Sequence, residues 1–289
     1  MFTLKNKNSL FFSFIRHNYF PIKFIYTRFR LYNLVKIFRP GIYDSDYDSL
    51  DRYFELMHRH LKKFKFNFKN SMVMELGPGN SYIIPYNFLR LGAKKVILLD
   101  KYPRVDNTPH QREYSLREHD YFKKKYGADT GRYFDASAAM PRDEYISYQA
   151  GDLVYTDFPG KFDLVYSIAV LHHIQDLESS IKKMGAIVKK GGMMFHVVDF
   201  KDKWHSLGLP FAFYRYSDRV WNRFLTDASL TYTNRIRYGD YVELFRKYGF
   251  EILWQQTWEF PVTEKKIDRR FAGRADLHIG DAHFLLKKV

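Results

Sequence analysis

The sequence predicts an α/β fold whose central sheet is doubly wound and mostly parallel. From residue 72 onward, short apolar runs alternate with segments of helical periodicity. Strands that are apolar along their whole length are typical of parallel sheets covered by helices on both faces. A glycine-rich turn also follows the first of these runs, where folds of this class bind ligands.

The apolar runs predict seven strands. In chain order they are Met72–Leu76, Lys95–Asp100, Tyr145–Gln149, Phe162–Ser167, Met193–Val198, Phe250–Trp258 and His283–Lys288. Each run is bounded by glycine, proline or polar residues, and its length suits a strand better than a helix.

Helical periodicity connects these strands. Leu50 to Phe64 carry apolar residues on one helical face, and Asp48 is the predicted N-cap. A second helix follows the glycine turn and reaches Leu91, and a third spans Asp176–Lys189 and is expected to stop at the glycines that follow. Gly239–Tyr248 forms a fourth.

Length and composition exclude several classes of protein. The 289 residues fit one domain with additions, and a hydrophobic content of 46% supplies a core. Cysteine is absent, which excludes disulfide scaffolds, cysteine-ligated metal sites and cysteine nucleophiles. No run approaches the roughly 18 apolar residues that a membrane-spanning helix needs.

The chain is expected to divide into an N-terminal arm, residues 1–43, and an α/β domain, residues 44–289. Two connections, residues 101–144 and 199–238, are longer than strand–helix links require. Because long loops at the carboxyl side of a parallel sheet usually build or cover a binding site, both are predicted to form a cap over the substrate.

Charge is concentrated in the arm. The net charge is +15, and the arm holds eight cations and no acid, so 39 basic and 32 acidic residues leave +7 for the remainder. The eight cations are Lys5, Lys7, Arg16, Lys23, Arg28, Arg30, Lys36 and Arg39.

Aromatic and aliphatic residues crowd positions 10–38, and Leu31, Leu34, Val35 and Phe38 follow helical spacing. Such a segment suits peripheral contact with an anionic membrane surface. It also suits a nucleic-acid backbone, or a helix that simply packs its apolar stripe on the domain.

The central motif runs from Val73 to Ser81 and combines an apolar strand, an acid at Glu75 and glycines at Gly77 and Gly79. Glycine lets a ligand approach the backbone, and the following helix N-terminus favours a negative group. A dinucleotide fold would have a third glycine or alanine where Tyr82 stands, and a P-loop would continue with Gly-Lys-Ser/Thr.

Asp100 ends the second strand, 23 residues after Gly77. In doubly wound folds an acid at this position accepts hydrogen bonds from ribose hydroxyls. The combination with the glycine turn therefore predicts a nucleoside site.

Five motifs in this order resemble the class I S-adenosylmethionine-dependent methyltransferases. They are Glu75-Leu-Gly77-Pro-Gly79, Ile97-Leu-Leu-Asp100, Ala150-Gly151-Asp152, Phe162-Asp-Leu-Val-Tyr-Ser167 with Val170-Leu-His-His173, and Lys189-Lys-Gly-Gly192. The resemblance covers roughly residues 70–200. It implies a Rossmann-like, seven-stranded sheet with an antiparallel closing strand, and S-adenosylmethionine as cofactor.

The resemblance also implies residue roles. Glu75, Gly77 and Gly79 would contact the methionine part, with Ser81 standing where family members commonly carry glycine. Asp100 would hold the ribose hydroxyls. Asp152 and the backbone of Leu153 would read the adenine edge, and the Ser167 carbonyl would face the methionine end. Because a sulfonium already activates the methyl group, neither metal nor covalent nucleophile is expected.

A hydroxyl acceptor needs a base. The candidates are His172 and His173 after the fourth strand, and His196 and Asp199 on and after the fifth. His196 is favoured over the histidine pair, one of which is expected to hold its loop.

The second cap segment supplies candidate substrate-binding residues, because arginine binds carboxylates and phosphates and aromatic rings stack on sugars or bases. They are Trp204, Arg215, Tyr216, Arg235 and Arg237. A lid whose arginines are solvated or paired explains the same residues equally well.

The predicted function is O-methylation of a small-molecule, sugar or lipid-linked acceptor by a cytoplasmic enzyme, with contact to the inner face of a membrane as an extension. An RNA methyltransferase is one alternative, although the domain itself is only mildly basic. A non-catalytic protein with the same cofactor fold is the other.

Overall fold

The computed structural model describes residues 14–15, 17–31, 44–102, 108–127, 131–205, 208–226 and 232–289. Most of the stripe predicted in the arm, from Leu34 to Phe38, lies outside these residues.

Nine strands occur in the described ranges. They are β1 (Met72–Leu76), β2 (Lys95–Asp100), β3 (Phe134–Asp135), β4 (Met140–Pro141), β5 (Ile146–Ala150), β6 (Phe162–Ile168), β7 (Val188–Asp199), β8 (Phe250–Glu259) and β9 (Ile279–Lys288). β3 and β4 form a small antiparallel ribbon, and the other seven form one sheet.

The sheet has the order β5-β2-β1-β6-β7-β9-β8. The first five strands are parallel, and β9 runs antiparallel to both β7 and β8. The predicted doubly wound sheet with an antiparallel closing strand is confirmed. The carboxyl ends of β5, β2, β1, β6 and β7 consequently meet at one edge of the sheet.

Helices cover both faces of the sheet. Those in the described ranges include α1 (Tyr19–Arg28), α2 (Tyr47–Lys63), α3 (Ile83–Arg90), α4 (Pro109–Tyr126), α5 (Leu177–Ile187), α6 (Asp218–Val220) and α7 (Tyr238–Lys247). α2 and α3 bury Phe54 and Phe88 in one core, while α5 and α7 bury Ile181 and Phe245 in another. None of the helices in these ranges is long and apolar enough to cross a membrane.

Two predicted helix ends are wrong. The N-cap of α2 is Asp46, whose carboxylate accepts from the Ser49 backbone N–H at 3.1 Å. α5 ends at Ile187, before the glycine pair that was expected to stop it. The chain turns directly into β7, where Val188 pairs with Phe162, and the glycines fall at an irregularity in that pairing.

The described part of the N-terminal arm packs on residues 199–238. Ile15 and Tyr19 share a buried cluster with Leu209 and Ala212. A neighbouring cluster contains Trp221 and further aromatic side chains. Below, "the cap" means residues 199–238 as far as they are described.

Candidate active site

The glycine turn begins where β1 ends, beside the neighbouring strand β2. The Gly77 N–H donates to the Leu99 carbonyl oxygen at 2.8 Å. Gly77 and Gly79 have φ of +65° and +67°, in the region that favours glycine. A Cβ on Gly77 would lie 2.5 Å from Cγ2 of Val170, so the loop after β6 packs directly on the turn.

Glu75 lies in β1 with its carboxylate almost fully buried. The Tyr166 hydroxyl donates to its Oε2 at 2.6 Å. Burial raises the pKa of Glu75 to about 8, against the opposing effect of that hydrogen bond. Tyr166 was not predicted as a site residue, because it lies 91 positions away and only the β1–β6 pairing brings the two together.

A second buried carboxylate closes the turn. Glu118 of α4 accepts from the Ser81 hydroxyl and from the Tyr82 backbone N–H, at 2.9 and 3.0 Å for the two carboxylate oxygens. Burial raises the pKa of Glu118 to about 8. The helix N-terminus predicted to favour a negative group is therefore occupied by a carboxyl group of the protein itself.

One face of α4 is buried, and part of it packs on the glycine turn. Gln111, Tyr114, Ser115, Glu118 and Phe122 are buried along α4. Gln111 donates to the Asn80 carbonyl oxygen at 3.1 Å. Gln111 and Glu118 are seven residues apart and therefore lie on one face of a helix, and this spacing was the signal in the sequence for the buried face.

Asp44 supports the turn from the other side. The Asn80 side-chain amide donates to Asp44 Oδ1 at 3.0 Å, and Nε2 of His110 lies 3.1 Å from the same carboxylate. The segment before α2 and the start of α4 therefore meet over the turn.

Asp100 and Asp152 lie on adjacent strand ends. The Gly151 N–H donates to the Asp100 carbonyl oxygen at 3.0 Å, and the Tyr102 N–H donates to Asp100 Oδ1 at 2.8 Å. Asp152 forms an ion pair with Lys101 at 2.9 Å. Although partial burial opposes it, that ion pair helps hold the pKa of Asp152 below its ordinary value.

Ser167 and His196 lie opposite each other on β6 and β7. Ser167 Oγ is 2.8 Å from Nδ1 of His196, and Leu153 is buried near the same face of the sheet. The His196 ring stacks on Phe245 of α7, and burial lowers its pKa to about 3. The side chain favoured as the base is therefore enclosed in the core.

His172 and His173 form a 3-10 turn after β6. Burial lowers the pKa of His172 to about 3. Nδ1 of His173 lies 2.5 Å from the Tyr232 carbonyl oxygen, and the Asn234 N–H donates to the His172 carbonyl oxygen at 2.9 Å. Both histidines thus connect this loop to the segment that starts at residue 232.

Asp199 ends β7, and its carboxylate is partly exposed at the carboxyl-end edge of the sheet. Its Oδ1 is 3.0 Å from Nζ of the buried Lys201, which also pairs with Asp281 of β9. The two carboxylates keep 28% and 27% of their side-chain surface exposed. Burial raises the pKa of Asp281.

Tyr53 of α2 adds a hydroxyl beside these carboxylates. Burial, followed by the charges of Asp281 and Asp199, raises the pKa of Tyr53. Lys201, Asp281 and Tyr53 were missed in the sequence because each comes from a different element and none belongs to a motif.

Residues 47–255 match the sequence profile of a family described as a methyltransferase domain. The chain belongs to this family. With the motif order and the sheet order, this makes it a class I methyltransferase whose cofactor is S-adenosylmethionine. The sequence matches no curated protein.

Several solved structures resemble this chain at low identity. An S-adenosylmethionine-dependent methyltransferase from Mesorhizobium loti is 15% identical, over 80% of this chain and 96% of that one, with a TM-score of 0.45. One from Clostridium acetobutylicum is 14% identical, over 89% and 98%, with a TM-score of 0.46. Magnesium protoporphyrin IX methyltransferase from Synechocystis is 11% identical, over 84% and 83%, with a TM-score of 0.47.

In this methyltransferase, Arg235 and Arg237, which were predicted to bind substrate, make hydrogen bonds within the protein. Arg235 donates to the carbonyl oxygens of Phe213 and Tyr216, at 3.1 and 2.6 Å, and pairs with Asp218. Both Arg235 and Arg237 border a cleft of about 590 Å³ beside α7, yet only 2% and 1% of their surfaces are exposed.

Arg237 donates to the carbonyl oxygens of Phe200 and Ile279 at 2.7 and 2.6 Å. The Arg237 guanidinium also lies among four aromatic rings, and its distance to the ring centres of both Phe200 and Tyr214 is 5.2 Å. Burial lowers its pKa. The side chain therefore joins the end of β7 to the start of β9.

The other cap residues pack on the N-terminal helix. The Tyr19 ring lies 5.4 Å from Trp204 and 5.9 Å from Tyr216, and Arg215 pairs with Glu264. Among the described residues, no cluster of three or more histidines and acids could hold a metal ion.

Proposed function

We propose that the methyltransferase holds S-adenosylmethionine across the carboxyl ends of β1, β2 and β5. Gly77 and Gly79 are only partly buried, and carboxylates stand at or just after the ends of the neighbouring strands. These features suit a ligand that carries an ammonium group and ribose hydroxyls but no phosphate. When bound, S-adenosylmethionine supplies a methyl group, whose bond to sulfur breaks with its electron pair left on sulfur.

Each residue of this edge has a role in the proposal. Asp100 accepts hydrogen bonds from the ribose hydroxyls, and Asp152 with the backbone of Leu153 contacts the adenine edge. Glu75 faces the positive end of the cofactor, which favours its ionised form over the buried neutral acid. The Ser167 carbonyl and the turn at Gly77 and Gly79 orient the methionine part.

We further propose that the acceptor is a hydroxyl group of a small molecule, sugar or lipid-linked compound. The observation that carries this step is the pair of partly exposed carboxylates, Asp199 and Asp281, fixed by the buried Lys201 at the end of β7. Asp199 would accept the proton that the acceptor hydroxyl loses on methyl transfer. Lys201 keeps that carboxylate in place.

A screen with methyl-labelled cofactor tests this function. Sugars, lipid-linked sugars, phenols and RNA are offered as acceptors, and we expect the label in a hydroxyl compound. Asp199→Asn should then lower kcat by about 10²–10⁴, the range of general-base catalysis, while leaving S-adenosylhomocysteine affinity within twofold. Asp157→Asn, on an exposed loop, is the matched control.

Two results would overturn the proposal. Label that appears only in RNA would show that the acceptor is RNA and not a small hydroxyl compound. Full activity of Asp199→Asn would show that this residue is not the base.

A further inference from the structure

The buried face of α1 includes polar side chains, while several of its apolar side chains are exposed. Its face toward the protein buries Lys23 and Thr27, both polar, together with Tyr19. Its solvent side carries Phe20, 38% exposed, and Ile25, 47% exposed. Phe14 before the helix and Phe29 after it are 60% and 66% exposed. A helix that only packed on the domain would present the opposite pattern.

Buried polar contacts fix this orientation. Nζ of Lys23 pairs with Asp202 at 3.0 Å and lies 4.3 Å above the centre of the Trp221 ring. The Tyr19 hydroxyl donates to the same Asp202 carboxylate. Rolling α1 to bury its apolar side would leave the Asp202 charge buried without its partners, which is strongly unfavourable.

The exposed side of α1 continues onto the cap. The Phe224 ring, 37% exposed, lies 6.4 Å from Phe20 and 6.1 Å from Phe24. The neighbouring rings of Phe20, Phe24 and Phe224, together with the exposed side chains of Phe14, Ile25 and Phe29, are called the aromatic patch below. Exposed apolar side chains concentrated in one region indicate an interaction site.

Cations accompany the patch. Arg28 and Arg30 are exposed beside it on the arm, and Arg219 and Arg223 are exposed on the cap. The one acid in α6, Asp218, pairs with Arg235 and Arg270. Across residues 1–43 the sequence has eight cations and no acid.

We propose that the aromatic patch binds the surface of an anionic phospholipid bilayer, with α1 lying in the plane of the interface. Aromatic side chains insert at the boundary between headgroups and acyl chains, while the surrounding arginines contact anionic headgroups. A nucleic-acid backbone would use the cations but leave the apolar side chains in water. Two copies facing each other through the patch would bring like charges together.

Vesicle co-sedimentation of the full chain tests this proposal. We expect binding to vesicles of 70% phosphatidylcholine and 30% phosphatidylglycerol, and at least tenfold weaker binding to phosphatidylcholine alone. Phe29→Glu and Phe224→Glu, at exposed positions, should each weaken binding at least tenfold. Leu116→Glu, 41% exposed on α4, is the apolar control and should bind like the wild type.

The contribution of charge is tested separately with Arg223→Ser, which should weaken vesicle binding about threefold. Arg59→Ser, on the exposed side of α2, is the control. Equal binding of the Phe29→Glu and Leu116→Glu variants would overturn the proposal. Binding of the protein to RNA without binding to vesicles would also overturn it. A third contradicting result would be a protein that does not bind anionic vesicles but forms a dimer in solution, with the dimer dissociating in the Phe224→Glu variant. None of these readouts depends on methyl transfer.

Discussion

Two regions of the molecule use charged side chains in opposite ways. One is the carboxyl-end edge of the sheet, which we propose holds the cofactor and call the cofactor edge, and the other is the cap. At the edge, Asp100, Asp152 and Asp199 stand at strand ends with part of their surfaces exposed. In the cap, Arg235 and Arg237 are buried and bind carbonyl oxygens. A motif residue tied to a strand end has its place fixed by the backbone, whereas composition alone does not say which way a side chain faces.

The largest effect that tests this contrast is expected at the glycine turn. Gly77→Ala places a Cβ 2.5 Å from Val170 Cγ2 at a φ of +65°. Left-handed strain and overpacking together should lower the free energy of unfolding by about 3 kcal/mol. S-adenosylhomocysteine affinity should fall in the protein that remains folded. Urea denaturation and ligand titration measure the two effects.

Gly127→Ala is the matched control, because its φ of +58° imposes similar strain and no atom lies within 4 Å of the new Cβ. Gly127→Ala should lower the free energy of unfolding by only about 1 kcal/mol and leave the affinity for S-adenosylhomocysteine unchanged. Equal losses in the two variants would show that Val170 does not constrain the turn, and would contradict the packing argument.

The sheet and the position of the glycine turn were predictable for a local reason. Strand periodicity placed β2 correctly from Lys95 to Asp100, and the glycine turn fixed the end of β1. The partners of the cofactor edge were not predictable, because Glu118 and Tyr166 reach it from other elements. The glycine pair after Lys190 gave a wrong prediction for the end of α5. The strand pairing of Val188 with Phe162, a contact between distant residues, ends the helix before the glycines.

The next effect is expected in the cap and should separate it from the cofactor edge. Arg237→Met leaves the carbonyl oxygens of Phe200 and Ile279 without their donor. Two buried unsatisfied acceptors should lower the free energy of unfolding by about 3 kcal/mol. Ligand affinity should stay within twofold, as measured by calorimetry.

Arg246→Met, exposed on α7, serves as the control and should be within about 0.5 kcal/mol of the wild type. If Arg237→Met were stable and instead lost acceptor turnover, the cap arginine would belong to the substrate site after all, and the contrast between the two regions would break down.

A smaller effect follows from the buried acid of α4. The pKa of Glu118 rises from 4.5 to about 8 on folding, so the folded state holds a proton that the unfolded state releases. Stability should therefore fall as pH rises from about 5 to 8, by up to about 1.4 kcal/mol per pH unit for this carboxyl. In Glu118→Gln that fall should be shallower.

Unfolding curves at several pH values measure this slope. Glu113→Gln, exposed on the same helix, should keep the wild-type slope. An unchanged slope in Glu118→Gln would mean that the acid closing the glycine turn is ionised in the folded protein.

Calorimetric titration with S-adenosylhomocysteine tests the cofactor edge most directly. The wild type should bind, Asp100→Asn should bind at least tenfold more weakly while melting at the same temperature, and Asp157→Asn should match the wild type. Undiminished affinity in a folded Asp100→Asn variant would contradict the assignment of this edge as the nucleoside site.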